Sequence, residues 1–252
     1  MVAGLVSLLG LGGATATRAA EPIAAKQVYL FFVFSDPRPG REAAYARWFA
    51  DRRHTDRATE APGVMGVQHY VPGPELRHAP MNTPRDLVLY TLATAQAQRS
   101  AEAVTRLGDA GDAWPGPEIA TVTTATYRAL SPPINGVGGE PAGAKPGVAA
   151  RYAVLAFHSV VTGQDDSFNS WYDAVHLPEL LANPGVVSGQ RGVRSPVQFG
   201  PASETSPRYL MLLRIATSDV PAVFKGILKG GPPSPAIDRA HSYGFTYQAA
   251  NP

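Results

Sequence analysis

Apolar residues in this chain come in short dense runs separated by amphipathic stretches, and the succession is regular. Val28 to Phe34 and Tyr152 to Phe157 are dense in β-branched and aromatic residues and read as buried strands. Helical patterning follows each, over Arg41 to Thr59 and Asp165 to Ala182, and each helix is ended by a Pro-Gly pair that cannot continue it. Val64 to Val71 and Val186 to Val193 read as second strands, and Leu87 to Leu92 and Tyr209 to Ile215 as third strands. Second helices are expected at about Gln96 to Leu107 and Val220 to Leu228, with fourth strands at Val122 to Leu130 and Tyr243 to Gln248. The predicted order is β-α-β-β-α-β, twice. That is the split ferredoxin-like arrangement, an α+β class, in which two helices cover one face of a sheet and leave the other in need of a partner. Two units in one chain supply that partner to each other.

A spaced set of residues points the same way. Asp51-x-x-His54 followed by Pro62-Gly63-Val64 and Gln68 recurs as Asp173-x-x-His176 followed by Pro184-Gly185-Val186 and Gln190, at a constant offset of 122 residues. In that register Phe49 falls opposite Trp171, with Trp48 and Tyr172 as aromatic neighbours. Pro84-Arg85-Asp86-Leu87 matches Pro207-Arg208-Tyr209-Leu210 at one residue more. A tandem duplication is the simplest source of such matches. The units run from about 26 to 130 and 148 to 250, and the Pro/Gly-rich stretch 131–147 is a linker.

Composition narrows the chemistry. Among 252 residues, 22 basic side chains face 20 acidic ones, with no basic cluster of the kind nucleic acid requires. Cysteine is absent, which excludes disulfides, thiolate metal sites and cysteine nucleophiles. The apolar run from Val2 to Gly13, followed by small residues up to Ala20, reads as an export signal too short to anchor the chain in a membrane, although no basic residue precedes Arg18. A periplasmic or secreted location is expected, with residues 1–20 removed.

The run Phe168 to Leu181, which contains Trp171-Tyr172-Asp173 and His176-Leu177-Pro178, and then Pro184-Gly185-Val186, resembles the dimeric α+β barrel superfamily, particularly its EthD-like members. The first half keeps Trp48-Phe49, Asp51, His54 and Pro62-Gly63 but replaces His-Leu-Pro by His54-Thr55-Asp56. The resemblance implies an intrachain pseudo-dimeric α+β barrel, as a monomer or a homodimer. It implies little about reaction, since the superfamily includes cofactor-free monooxygenases, isomerases, cyclases, dehydratases and haem-binding branches.

Candidate chemistry centres on the repeated carboxylate and imidazole. On an α-helix, Asp173 and His176 share a face, as do Asp51 and His54, and a carboxylate beside an imidazole raises its basicity. The same residues also serve to brace a helix end next to proline. His158 ends the first strand of the second unit and breaks the symmetry of the pair, making it a third candidate. Gln190 and Gln68 suit either the orientation of a carbonyl or phenol or an outward polar position; Arg191 and His69 face the opposite way from them. Tyr243, Phe245 and Tyr247 alternate on one strand face and, with Trp171 and Tyr172, form either an aromatic lining or core. His241, His78, Arg208 and Arg85 are weaker candidates. No nucleotide or phosphate motif occurs, no metal set is evident, and a haem held by one axial His stays open. The reading is an exported enzyme of lyase, dehydratase or isomerase type, with no cofactor, acting on a small aromatic or cyclic apolar compound. A non-catalytic binder of a hydrophobic or haem-like ligand is the alternative.

Overall fold

Strand β1 (Gln27–Pro37) is buried over seven consecutive residues because both of its faces are covered. Leu30, Phe32 and Phe34 point into one hydrophobic cluster, and Tyr29, Phe31 and Val33 into another. That double burial follows from the architecture. In the computed structural model, which describes residues 25–51, 57–74, 84–109, 119–139, 150–199 and 206–250, one antiparallel sheet closes on itself with helices outside.

The elements are β1, α1 (Glu42–Ala50), β2 (Val64–Pro72), β3 (Asp86–Thr94), α2 (Ala97–Asp109), β4 (Ile119–Ala129), β5 (Ile134–Asn135), β6 (Ala150–Val160), α3 (Asp165–Trp171), a π turn (Tyr172–His176), α4 (Leu177–Leu181), β7 (Val186–Arg194), β8 (Tyr209–Thr217), α5 (Val220–Ile227) and β9 (Ile237–Ala249). A 3₁₀ turn (Arg57–Glu60) precedes β2. The strand order is β4-β1-β3-β2-β9-β6-β8-β7-β5, and a further pairing of β4 with β7 closes the ring. The two junctions are narrow. Strand β2 meets β9 from Tyr70 opposite Ala249 to Pro72 opposite Tyr247, and β4 meets β7 from Tyr127 opposite Arg194 to Ala129 opposite Gly192.

The barrel interior is filled by side chains. Phe32, Phe34, Tyr127, Phe157, Phe245 and Tyr247 meet there, with Phe32 edge-on to Phe157 at 6.2 Å. The tyrosine hydroxyls reach backbone: Tyr127 donates to the Pro207 carbonyl at 2.7 Å and Tyr247 to the Pro84 carbonyl at 3.0 Å. Each large side chain buried here stabilises the fold by roughly 1.5–3 kcal/mol. Outside the barrel, Tyr45 and Phe49 of α1 pack on β1 and β3, while Phe168, Tyr172, Leu177 and Leu180 pack on β6 and β8.

Two elements depart from the expected ones. The helix expected over Asp165 to Ala182 is broken by the π turn. Pro178 lacks the N–H that would bond the Ala174 carbonyl, and the Leu177 N–H instead bonds Tyr172 O, five residues back. The stretch 131–147, expected as linker, carries β5, which pairs with Gly189 and Ser188 on the edge of β7. Residues 140–147, the leader 1–20, His54 and His78 lie outside the described residues.

Candidate functional site

The π turn sets the site. In a turn widened to about 4.4 residues, positions three apart no longer share a face, so Asp173 and His176 diverge. Asp173 instead accepts a hydrogen bond from Arg191 on β7, and Asn169 accepts a second from the same guanidinium at 2.6 Å. Arg191 is itself buried, with its guanidinium carbon 4.6 Å from the centre of the Tyr172 ring. The expected support of His176 by Asp173 is therefore replaced by an Arg191–Asp173 pair that braces the turn.

His176 has different neighbours. Its ring stacks on Trp171 at 4.6 Å and 14°, and Tyr172 meets it edge-on at 5.0 Å. Its Nδ1 is buried without a hydrogen bond and lies 3.8 Å from a carboxylate oxygen of Glu179. That separation exceeds hydrogen-bond reach but still lets the carboxylate favour an Nδ1–H tautomer, which leaves the lone pair on Nε2. Burial pulls the imidazole below the usual histidine range, and Glu179 partly offsets it. Glu179 thus holds the place expected for Asp173.

His158, on the outward face of β6, lies with Nε2 3.4 Å from the Tyr172 hydroxyl, and its Nδ1 is buried without a partner. Burial first, then the nearby His176 and Arg191, holds it down to about 4. Burial also raises the Tyr172 hydroxyl. Burial thus disfavours the charged form of both imidazoles and of the phenol.

These groups line one cavity of about 420 Å³ between the sheet and the helices of the second half. Val154, Ala156, Met211, Leu213 and Gly244 form its floor, and Leu180, Phe224, Ile227 and Leu228 its roof. The volume lies in the range that suits a small ligand, and the lining is apolar apart from His158, Tyr172 and His176.

The other sequence candidates fall elsewhere. Phe245 and Tyr247 are packed in the barrel core and Tyr243 lies against it, on the opposite sheet face from the cavity. Gln190 is buried and donates to the Ser131 carbonyl at 3.2 Å. Gln68 is exposed and accepts from the Tyr70 hydroxyl at 2.9 Å, in a separate cavity. Asp51 caps the end of α1 through its backbone N–H, and His69 packs edge-on to Phe49 at 5.4 Å. His241 forms an exposed pair with Asp238 at 2.7 Å. In the first half Phe199 packs on the outer face of β1 against Phe31 at 5.5 Å and Tyr29 at 6.0 Å.

Among the described residues no group of three metal-binding side chains comes together, and no helix is long and apolar enough to cross a membrane. A haem would find an imidazole for one axial position. Its propionates would find no cationic side chain among the described residues lining the cavity, and the nearby Arg191 is engaged by Asp173 and Asn169. The lining fits a small neutral ligand better.

No family model and no curated protein matches the sequence. The fold does match solved structures. A candidate monooxygenase from Fusobacterium nucleatum is 9% identical, with 90% of this chain and 94% of that one covered and a TM-score of 0.53. A point variant of chlorite dismutase from Candidatus Nitrospira defluvii is 10% identical, with 90% and 92% covered and a TM-score of 0.54. At these identities the likeness is one of fold alone.

Proposed function

We propose that this chain is an enzyme that moves a proton on a small aromatic or cyclic apolar compound held in the 420 Å³ cavity, in a reaction of lyase, dehydratase or isomerase type that needs no cofactor. The observation that carries this reading is a pair of half-buried imidazoles, each with a buried, unbonded Nδ1, on the wall of an otherwise apolar cavity. His176 Nε2 takes the proton from the substrate. The imidazolium that forms is stabilised by Glu179, 3.8 Å from Nδ1, and returns the proton to another atom of the product or to a departing hydroxyl. Tyr172 and His158 donate to and accept from a substrate carbonyl or phenol, and Trp171 fixes the plane of His176.

The matched Pro-Gly pairs and the two β-α-β-β-α-β passages support descent from a fused EthD-like repeat, in which the second half kept the site. The apolar run from Val2 to Gly13 supports export, and with it a periplasmic or secreted substrate.

The test is the mass and absorption spectrum of whatever co-purifies with the wild type and with His176→Ala, followed by turnover of aromatic candidates without added cofactor. A bound aromatic compound lost in the variant, and turnover abolished with it, is the expected result. Undiminished turnover by folded His176→Ala removes His176 from the reaction. A Soret band in the wild type would overturn this reading in favour of a haem-binding protein.

A further inference from the structure

A second cavity, of about 590 Å³, opens at the barrel mouth beside the short junction of β2 with β9. Gln68, Tyr70, Arg151 and Arg214 line it. Strand alternation puts Arg151 on the inward face with Ala153 and Leu155, and Arg214 on the inward face with Leu212. Arg151 stands opposite Ala216 and Arg214 opposite Ala153, so the two cations are diagonal neighbours on one face, about 7–8 Å apart at their Cα atoms. Like charges so placed repel. No acidic side chain is present among the described residues that line the cavity.

Arg214 is the more telling of the two. Its Nη1 is shut off from solvent and has no hydrogen-bond partner. Burial disfavours its charge, and among the described residues Tyr70 acts against that. A guanidinium keeps its proton in such a setting, so Arg214 stays a cation on the cavity wall with its enclosed Nη1 unpaired. The Tyr70 hydroxyl donates to Gln68 Oε1, which leaves the Gln68 NH₂ as a further donor. Barrel closure does not require these charges. The rung of Phe34 and Leu87 in the first half corresponds to that of Phe157 and Leu210 in the second, and counting along from them puts Val28 and Thr91 where the second half has Arg151 and Arg214.

We propose that this mouth is a binding site for a small organic anion, a carboxylate on a short apolar body. The planar fork of Arg214 matches a carboxylate, Arg151 adds charge at the rim, and Val187, Ala216 and Ala249 offer apolar surface in the same cavity. The site is separate from the histidine cavity, which shares none of its lining.

Titration calorimetry of the full chain with hexanoate and with its neutral isostere hexanamide tests this. Hexanoate is expected to bind, hexanamide roughly tenfold or more weaker, and Arg214→Met to weaken hexanoate by a similar factor. Arg151→Met, at an exposed position, gives a smaller loss in a variant that leaves the barrel packing untouched, should Arg214→Met fail to fold. Equal affinity for amide and acid, unchanged hexanoate binding in the arginine variants, or phosphate bound as tightly as hexanoate would each overturn the proposal.

Discussion

The guanidinium of Arg191 lies over the ring of Tyr172 at 4.6 Å while Asp173, the next residue, holds one of its nitrogens. One buried cation thus clamps the π turn to β7 and orients the phenol that reaches His158. The turn exists because Pro178 withholds an N–H, and the clamp holds it in the geometry that brings Tyr172 and His176 to the same cavity wall.

Two substitutions separate the roles of the carboxylates. Asp173→Ala removes the partner of a buried arginine and is expected to destabilise the fold by about 1–3 kcal/mol, a range held down by the exposure of Asp173. It should leave the titration of the His176 ring protons where it was. Glu179→Gln, by contrast, takes away the carboxylate that favours the imidazolium and should move the His176 titration to lower pH at little cost in stability. NMR titration of the ring protons reads both. A shift in Asp173→Ala and none in Glu179→Gln would restore the pairing expected from sequence.

Stability against pH carries two opposed contributions. His158 is held at about 4 by burial, below the ordinary value near 6.5, so the unfolded chain takes up the proton first. Stability is therefore lost as pH falls from about 6.5 to 4, by up to about 3 kcal/mol. Asp86 at the start of β3 is pushed up to about 6 by burial, with Tyr45 and Arg85 pulling back. Its contribution is full below about 4 and is lost as pH rises through 6, by a similar amount. The wild type should show a shallow profile between pH 4 and 7, tilted toward neutral pH by His176. Asp86→Asn should steepen the rise with pH, and His158→Gln should reverse it. Urea midpoints at four pH values decide the matter, and parallel profiles for all three proteins would refute it.

The paired glycines test the turns that start β2 and β7. Gly63 and Gly185 have φ of +93° and +90°, and each carbonyl accepts from the strand beside it, from Ala93 N at 2.7 Å and Ala216 N at 2.9 Å. A Cβ at Gly63 would stand 2.9 Å from the Ala93 carbonyl oxygen, and one at Gly185 2.6 Å from a methyl of buried Val223. Either alanine substitution should cost at least about 1–2 kcal/mol from backbone conformation alone, with the contact added. Thermal midpoints within a degree of wild type would contradict this.

These turns were the most legible part of the fold. Pro-Gly pairs, strand composition and the recurring element order follow from local rules, and every predicted strand is present, each longer than expected, although β4 ends at Ala129 rather than Leu130. What stayed hidden depends on contacts distant in sequence. Strand β6 is apolar on both faces, so alternation cannot say which of Phe157 and His158 looks into the barrel; the ring closure, resting on three rungs at each junction, decides it. The same closure put Tyr243, Phe245 and Tyr247 on the core side and Arg191, read only as the residue facing away from Gln190, on the site side. The π turn had a local signal in His176-Leu177-Pro178, read as a helix boundary rather than as a missing N–H inside a continuing helix.

Two alanines on β6 show how far the face of a residue governs its tolerance. Ala153 points into the barrel core, fully buried, whereas Ala156 points outward to the cavity floor, flanked by Met211 and Gly244 on the neighbouring strands. Leucine at 153 has no free volume to enter and should cost about 1–3 kcal/mol through overpacking. Leucine at 156 enters open space, so its cost should stay within about 1 kcal/mol while the volume open to a ligand shrinks. Ala156→Leu is therefore expected to lose any co-purifying aromatic compound and at least tenfold in turnover, with the His158 and His176 titrations retained. Comparable destabilisation by the two substitutions would mean that the floor is packed rather than open, and the cavity could not then be the site of the reaction.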